Sequence, residues 1–133
     1  MVDGPSANPA SRVLIVEDEV LVRMFAVDVL EDAGYVVEQA ASGKEALERF
    51  ASLRGQLAAA IIDLGLPDRS GDEVASEIRA QDTSLPILIA SGRSERELKD
   101  RFAGDNFIAV LGKPFTEPML LEVLATLGVR PGT

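Results

Sequence analysis

The run Ala58-Ala59-Ala60-Ile61-Ile62 is apolar at every position and ends in a carboxylate, Asp63, followed at once by Leu64-Gly65-Leu66-Pro67-Asp68-Arg69-Ser70-Gly71. A half-exposed strand alternates apolar and polar residues. An unbroken apolar run reads instead as a strand covered on both faces, the kind found in parallel sheets flanked by helices. In open α/β sheets ligands bind outside the carboxyl ends of the strands, which is where Asp63 stands. Asp is also a common turn residue, so taken alone Asp63 reads as readily as a strand-terminating turn as a reactive group.

The rest of the chain supplies the sheet that such a strand needs. Residues 1–11, with Gly4, Pro5, Ser6, Asn8, Pro9 and Ser11, read as a flexible leader. Arg12-Val13-Leu14-Ile15-Val16 is a second apolar strand and runs into three acids, Glu17-Asp18-Glu19. These would repel one another without a cation between them. The simpler reading of that cluster is a solvated turn with Asp18 as the N-cap of the next helix. Val20 to Ala33 carries Val20, Leu21, Met24, Phe25, Val27, Val29 and Leu30 at helical spacing, which predicts a broad buried face, and Gly34 supplies the stop. Tyr35 to Ala40 is a more polar strand, suited to a sheet edge. Ser42 with Glu45 has the capping-box pattern for a helix through Ser52.

Beyond Gly71, a helix is predicted from Asp72 to Gln81, and Leu85-Pro86-Ile87-Leu88-Ile89-Ala90-Ser91 is another apolar strand, ending in a hydroxyl. Arg93 to Gly104 has only Leu98, Phe102 and Ala103 as anchors and is expected to be the least stable element. Phe107 to Leu111 reads as a fifth strand, ending before Gly112-Lys113-Pro114-Phe115. The last helix, from about Glu117 to Leu127, has Met119, Leu120, Val123, Leu124 and Leu127 as its core stripe, and residues 129–133 form a tail. Strands alternating with helices imply right-handed crossovers, hence a doubly wound parallel sheet with helices on both faces.

Composition narrows the chemistry available on that sheet. With 133 residues the chain suits one domain. It has no cysteine and no histidine, which excludes disulfides, thiolate nucleophiles and histidine bases, and leaves carboxylates, hydroxyls and lysine. A carboxylate site selects a hard cation, Mg²⁺, Mn²⁺ or Ca²⁺. A net charge of −9 argues against direct binding to nucleic acid or an acidic membrane. No apolar stretch approaches the roughly 20 residues of a membrane span and the start lacks a signal-peptide pattern, so the expected location is the cytoplasm.

Glu17, Asp18, Asp63, Ser91 and Lys113 all fall at carboxyl ends of strands and so on one edge of the sheet. The carboxylates can hold Mg²⁺, and a carboxylate beside Mg²⁺ can act as the nucleophile of phosphoryl transfer, with Lys113 and Ser91 serving the phosphoryl oxygens. These residues, with Val13-Leu14-Ile15-Val16-Glu17-Asp18-Glu19, Ile61-Ile62-Asp63-Leu64-Gly65-Leu66-Pro67, Gly71, Ile89-Ala90-Ser91-Gly92 and Lys113-Pro114-Phe115, resemble the receiver domain of two-component response regulators over residues 12–128.

The resemblance implies a flavodoxin-like fold with strand order 2-1-3-4-5. It implies that Asp63 accepts a phosphoryl group from a sensor histidine kinase or histidine phosphotransfer protein. Mg²⁺ would be held by Asp18, by Asp63, by the Gly65 carbonyl and, through water, by Glu17. Ser91 would be the switch hydroxyl, Lys113 would pair with Asp63, and the Lys113-Pro114 bond would be cis.

Against the common receiver pattern, Val110 replaces an aromatic residue three before Lys113, Gly65 offers no side chain at the site, and Arg93 adds a cation at its rim. These traits are similar to a divergent group of mostly single-domain receivers in alphaproteobacteria. The expected role is a stand-alone switch, monomeric or weakly dimeric, that acts on a downstream protein or drains phosphate from a kinase serving another regulator. The alternative is a Mg²⁺-dependent phosphohydrolase with Asp63 as transient nucleophile. It is disfavoured because Gly65 stands where such enzymes usually carry a general acid.

Overall fold

A computed structural model describes residues 11–92 and 95–131; the leader up to residue 10, Arg93 and the end of the tail lie outside the described residues. The elements alternate as the hydrophobic pattern requires. They are β1 (Arg12–Val16), α1 (Val20–Asp32), β2 (Val36–Ala40), α2 (Gly43–Ser52), β3 (Ala59–Asp63), α3 (Gly71–Gln81), β4 (Ile87–Ser91), α4 (Glu95–Arg101), β5 (Ile108–Gly112) and α5 (Glu117–Thr126). All five strands are parallel, in the order β2-β1-β3-β4-β5. The apolar runs at β1, β3 and β4 take the three interior places, and the more polar β2 takes an edge.

Side chains alternate between the faces of a strand, so the sheet carries two cores. Val13, Ile15, Ala59, Ile61 and Leu88 pack under α1 and α5. Leu14, Val16, Ala60, Ile62 and Ile89 pack against α2, α3 and α4. Every residue of β3 and β4 is buried, which places Asp63 and Ser91 at the rim of a dry interior. Gly34 takes a φ of 103° just past α1, a conformation that glycine reaches without steric cost.

Two sequence expectations fail in α1 and α5. The first turns of α1 are not buried: Val20, Leu21, Met24 and Phe25 are exposed, Leu21 at 81%, while Ala26, Val27, Val29 and Leu30 carry the packing. Periodicity reports which residues share a face, not how far that face stays over the sheet. In α5, Leu120 and Leu124 are buried but Met119 is exposed. α4 is anchored as thinly as expected, since Leu98 is its one buried residue among the described side chains. Ser42 does cap α2, accepting from the Glu45 amide at 3.1 Å. The Glu45 carboxylate reaches back to the amide of Ala41 at 2.8 Å, one residue earlier than a capping box would place it.

Candidate functional site

Parallel register assembles the site. Val16 is level with Ile62, Asp63 with Ala90, and Ser91 with Gly112. One residue further along, Glu17 follows β1 beside Asp63, and Lys113 follows β5 with its amide donating to the Ser91 carbonyl at 2.8 Å. Glu17, Asp63 and Lys113 share one alternation face of the sheet, that of the α1 and α5 core. The Lys113 ammonium donates to Asp63 Oδ1 at 2.8 Å and to Glu17 Oε1 at 3.0 Å, with Glu19 Oε1 at 3.7 Å. Asp63 Oδ2 accepts from the Gly65 amide at 3.1 Å. The Lys113-Pro114 peptide bond is cis.

Three carboxylates, Glu17, Glu19 and Asp63, thus crowd one lysine at the sheet edge, with Asp18 close to Glu17 and Asp63. Burial pushes the Glu17 carboxyl up, the hydrogen bonds from Lys113 and the Glu19 amide pull it back, and the Asp63 charge adds to the rise. For Lys113 burial acts downward, but the hydrogen bonds and charges of Asp63 and Glu17 outweigh it and push the ammonium up to about 12. Its folded value lies above the ordinary 10.5, so its ion pairs stabilise the fold fully below that value and are lost only as pH rises toward about 12.

Asp18 is the member left over. It does not cap α1, whose N-cap position is Glu19 without a side-chain cap bond. Its Oδ1 is buried with no hydrogen-bond partner. Oxygens of Glu17, Asp18 and Asp63 all lie within 4.8 Å of one another, a group that could hold a metal ion. An all-oxygen donor set with one orphaned acceptor fits a hard divalent cation. In cation-free buffer the same crowding is a burden, and Asp18→Asn removes a charge while offering an N–H to its neighbours. That variant is expected to be about 1 kcal/mol more stable than the parent in chelator, measured by thermal denaturation.

Ser91 is 1% exposed, one register step from Asp63. Gly65 would admit a side chain, since an added Cβ meets only Asp63 Oδ2 at 3.6 Å. Val110 is half-buried and, with Phe102 and Ile108, lines a cavity of about 320 Å³ between α4, β5 and α5. Arg23 is a contributor that spacing did not reveal: its guanidinium donates to the Glu17 carbonyl at 2.7 Å and to Gln39 Oε1 at 3.1 Å, fixing the turn that carries the acids. Asp68 is another, accepting from the Gly43 and Lys44 amides at 2.8 and 2.9 Å. No local signal could have found Asp68, because the two amides it reaches lie 25 and 24 residues earlier in the chain.

Beside this site lies an apolar groove of about 400 Å³ lined by Leu21, Val22, Phe25, Lys113, Pro114 and Phe115. The rings of Phe25 and Phe115 stand 6.1 Å apart.

Residues 13–125 match the family description of the response regulator receiver domain. The chain belongs to that family. This receiver is 37% identical over 123 residues to the transcriptional regulatory protein PdtaR of Mycobacterium tuberculosis, an alignment covering 92% of this chain and 58% of PdtaR. The receiver therefore spans little more than half the length of that relative. Among solved structures it resembles the Vibrio cholerae chemotaxis protein CheY4, with a TM-score of 0.81 and 31% identity over 90% of this chain and 99% of that one. It also resembles the response regulator TrrA of Thermotoga maritima, solved in complex with Mg(2+)-BeF, with a TM-score of 0.73 and 31% identity over 88% of this chain and 98% of that one. Among the described residues no helix is long and apolar enough to cross a membrane.

Proposed function

We propose that Asp63 is the phosphoacceptor of a cytoplasmic signalling switch and that Mg²⁺ is held beside it by Asp18, Asp63, the Gly65 carbonyl and, through water, Glu17. The observation that carries this reading is the Lys113 ammonium bridging Asp63 Oδ1 and Glu17 Oε1 next to the orphaned Asp18 oxygen. A carboxylate aimed at a cation and a lysine is activated and oriented for attack on phosphorus.

An Asp63 oxygen attacks the phosphorus of a phosphohistidine; the O–P bond forms, the N–P bond breaks, and the imidazole leaves with the electron pair and takes a proton. Magnesium, when bound, offsets the charge of the transferring oxygens. Lys113 stays charged throughout and follows the negative charge from the Asp63 carboxylate to the phosphoryl group. Ser91, buried beside Asp63, offers its hydroxyl to a phosphoryl oxygen and couples the event to β4 and the thinly anchored α4. Mn²⁺ or Ca²⁺ would be held by the same residues, since carboxylate and carbonyl oxygens suit both.

The phosphodonor is a histidine kinase or histidine phosphotransfer protein, and the groove lined by Leu21, Phe25 and Phe115 is its seat. The groove is apolar and reaches Lys113, so a helix lying in it would bring its own side chain to Asp63. Leu21→Asp is expected to slow transfer from such a protein about tenfold or more while leaving phosphorylation by a small donor unchanged, read by mass spectrometry of both reactions. The test of the function itself is incubation with acetyl phosphate. With Mg²⁺ the chain should gain the mass of one phosphoryl group, labile in alkali as acyl phosphates are; without the cation it should not.

A further inference from the structure

The loop from Leu64 to Ser70, between β3 and α3, is fastened at two points. At the near end the Gly65 amide donates to Asp63 Oδ2 at 3.1 Å, and the Gly71 amide donates to the Leu64 carbonyl at 2.8 Å. At the far end both oxygens of Asp68 are used: Oδ1 accepts from the Gly43 amide at 2.8 Å and Oδ2 from the Lys44 amide at 2.9 Å, the first two N–H groups of α2. These bonds hold the Asp68 carboxyl below its ordinary range.

A second observation points the same way. Gly43 is buried, and a Cβ built on it would meet Arg69 Cγ at 2.6 Å and Cδ at 2.9 Å, so the loop rests directly on the start of α2. The Arg69 guanidinium continues to Glu77 on α3. Ser42 caps α2 at the Glu45 amide, and Asp68 takes the two amides before it. Because Asp68 belongs to the loop and not to α2, its two bonds also fix the loop's position.

We infer that Asp68 is a positioning residue: by tying the loop to α2 it holds the Gly65 amide on Asp63 and thereby sets the affinity of the carboxylate site for its divalent cation. The inference rests on the metal reading given above, and it goes beyond that reading by making α2 part of the site's support. Groups that orient metal ligands from one shell away commonly change metal affinity about 10–100-fold when removed.

The test is calorimetric titration of Mg²⁺ alone into the full chain, at a temperature where each variant is folded. Asp68→Ala is expected to weaken Mg²⁺ binding about tenfold, and Asp68→Asn, which keeps one acceptor, by less. Ser42→Ala removes a different bond from the same helix end, so it should lower the melting temperature and leave Mg²⁺ affinity as in the parent. Equal weakening by Ser42→Ala and Asp68→Ala would reduce Asp68 to a helix cap and overturn the inference. Unchanged binding by Asp68→Ala would overturn it while leaving the metal site standing. If the parent chain binds no Mg²⁺, the metal reading falls and the inference with it.

Discussion

Asp63→Asn is expected to abolish phosphoryl uptake from acetyl phosphate and Mg²⁺, with no product above background by mass spectrometry, while the far-ultraviolet circular dichroism stays that of the parent. The carboxamide is nearly isosteric and keeps an oxygen for the Gly65 amide, which Asp63 Oδ2 now holds at 3.1 Å. It has lost the anionic oxygen that attacks phosphorus, and at Oδ1 it no longer offers Lys113 a charged partner at 2.8 Å. Lys113 keeps Glu17 Oε1 at 3.0 Å, so the lysine is not stranded and the fold survives. The loss is therefore chemical rather than structural, which is why the two measurements must be made on the same sample.

Gly71→Ala is expected to cost about 3 kcal/mol of stability in urea denaturation. A Cβ at position 71 would stand 2.1 Å from the Asp63 carbonyl oxygen, 2.8 Å from its carbonyl carbon and 2.9 Å from Leu64 Cα. All three are backbone atoms of the strand end, so no side chain can swing aside to make room. Either α3 moves off β3, opening the packing of Val74, Ala75 and Ile78, or the chain at Asp63 rotates and takes the carboxylate away from Lys113. Reduced phosphorylation should accompany the lost stability. Gly92→Ala is the control: nothing lies within 4 Å of an added Cβ there, and the change should stay within about 0.5 kcal/mol.

The part of this molecule legible in its sequence is the part that rests on local pattern. Unbroken apolar runs in β1, β3 and β4 marked the interior of the sheet, and the polar character of β2 marked an edge. Residues at strand ends could be gathered on one side because parallel strands all end there, and Lys113 does meet Asp63 and Glu17. Three things depend on distance and were not legible. Asp68 and Arg23 act across the fold, on α2 and on the Glu17 carbonyl, with no spacing that links them to their partners. The apolar first turns of α1 have the periodicity of core residues, yet they stand exposed beside the Lys113 edge. Gly71 was visible as a glycine, but only the approach of its Cα to the Asp63 carbonyl explains why no other residue fits.

Borohydride trapping identifies which of the four neighbouring acids, Glu17, Asp18, Glu19 and Asp63, receives the phosphoryl group. After incubation with acetyl phosphate and Mg²⁺, borohydride reduces an acyl phosphate to the alcohol, and peptide sequencing by mass locates the reduced residue. The expected result is a single homoserine at position 63, absent when Mg²⁺ is chelated. Reduction at Glu17, Asp18, Glu19 or Asp68, or a stable phosphate on Ser91 with position 63 unchanged, would show that Asp63 is not the phosphoacceptor.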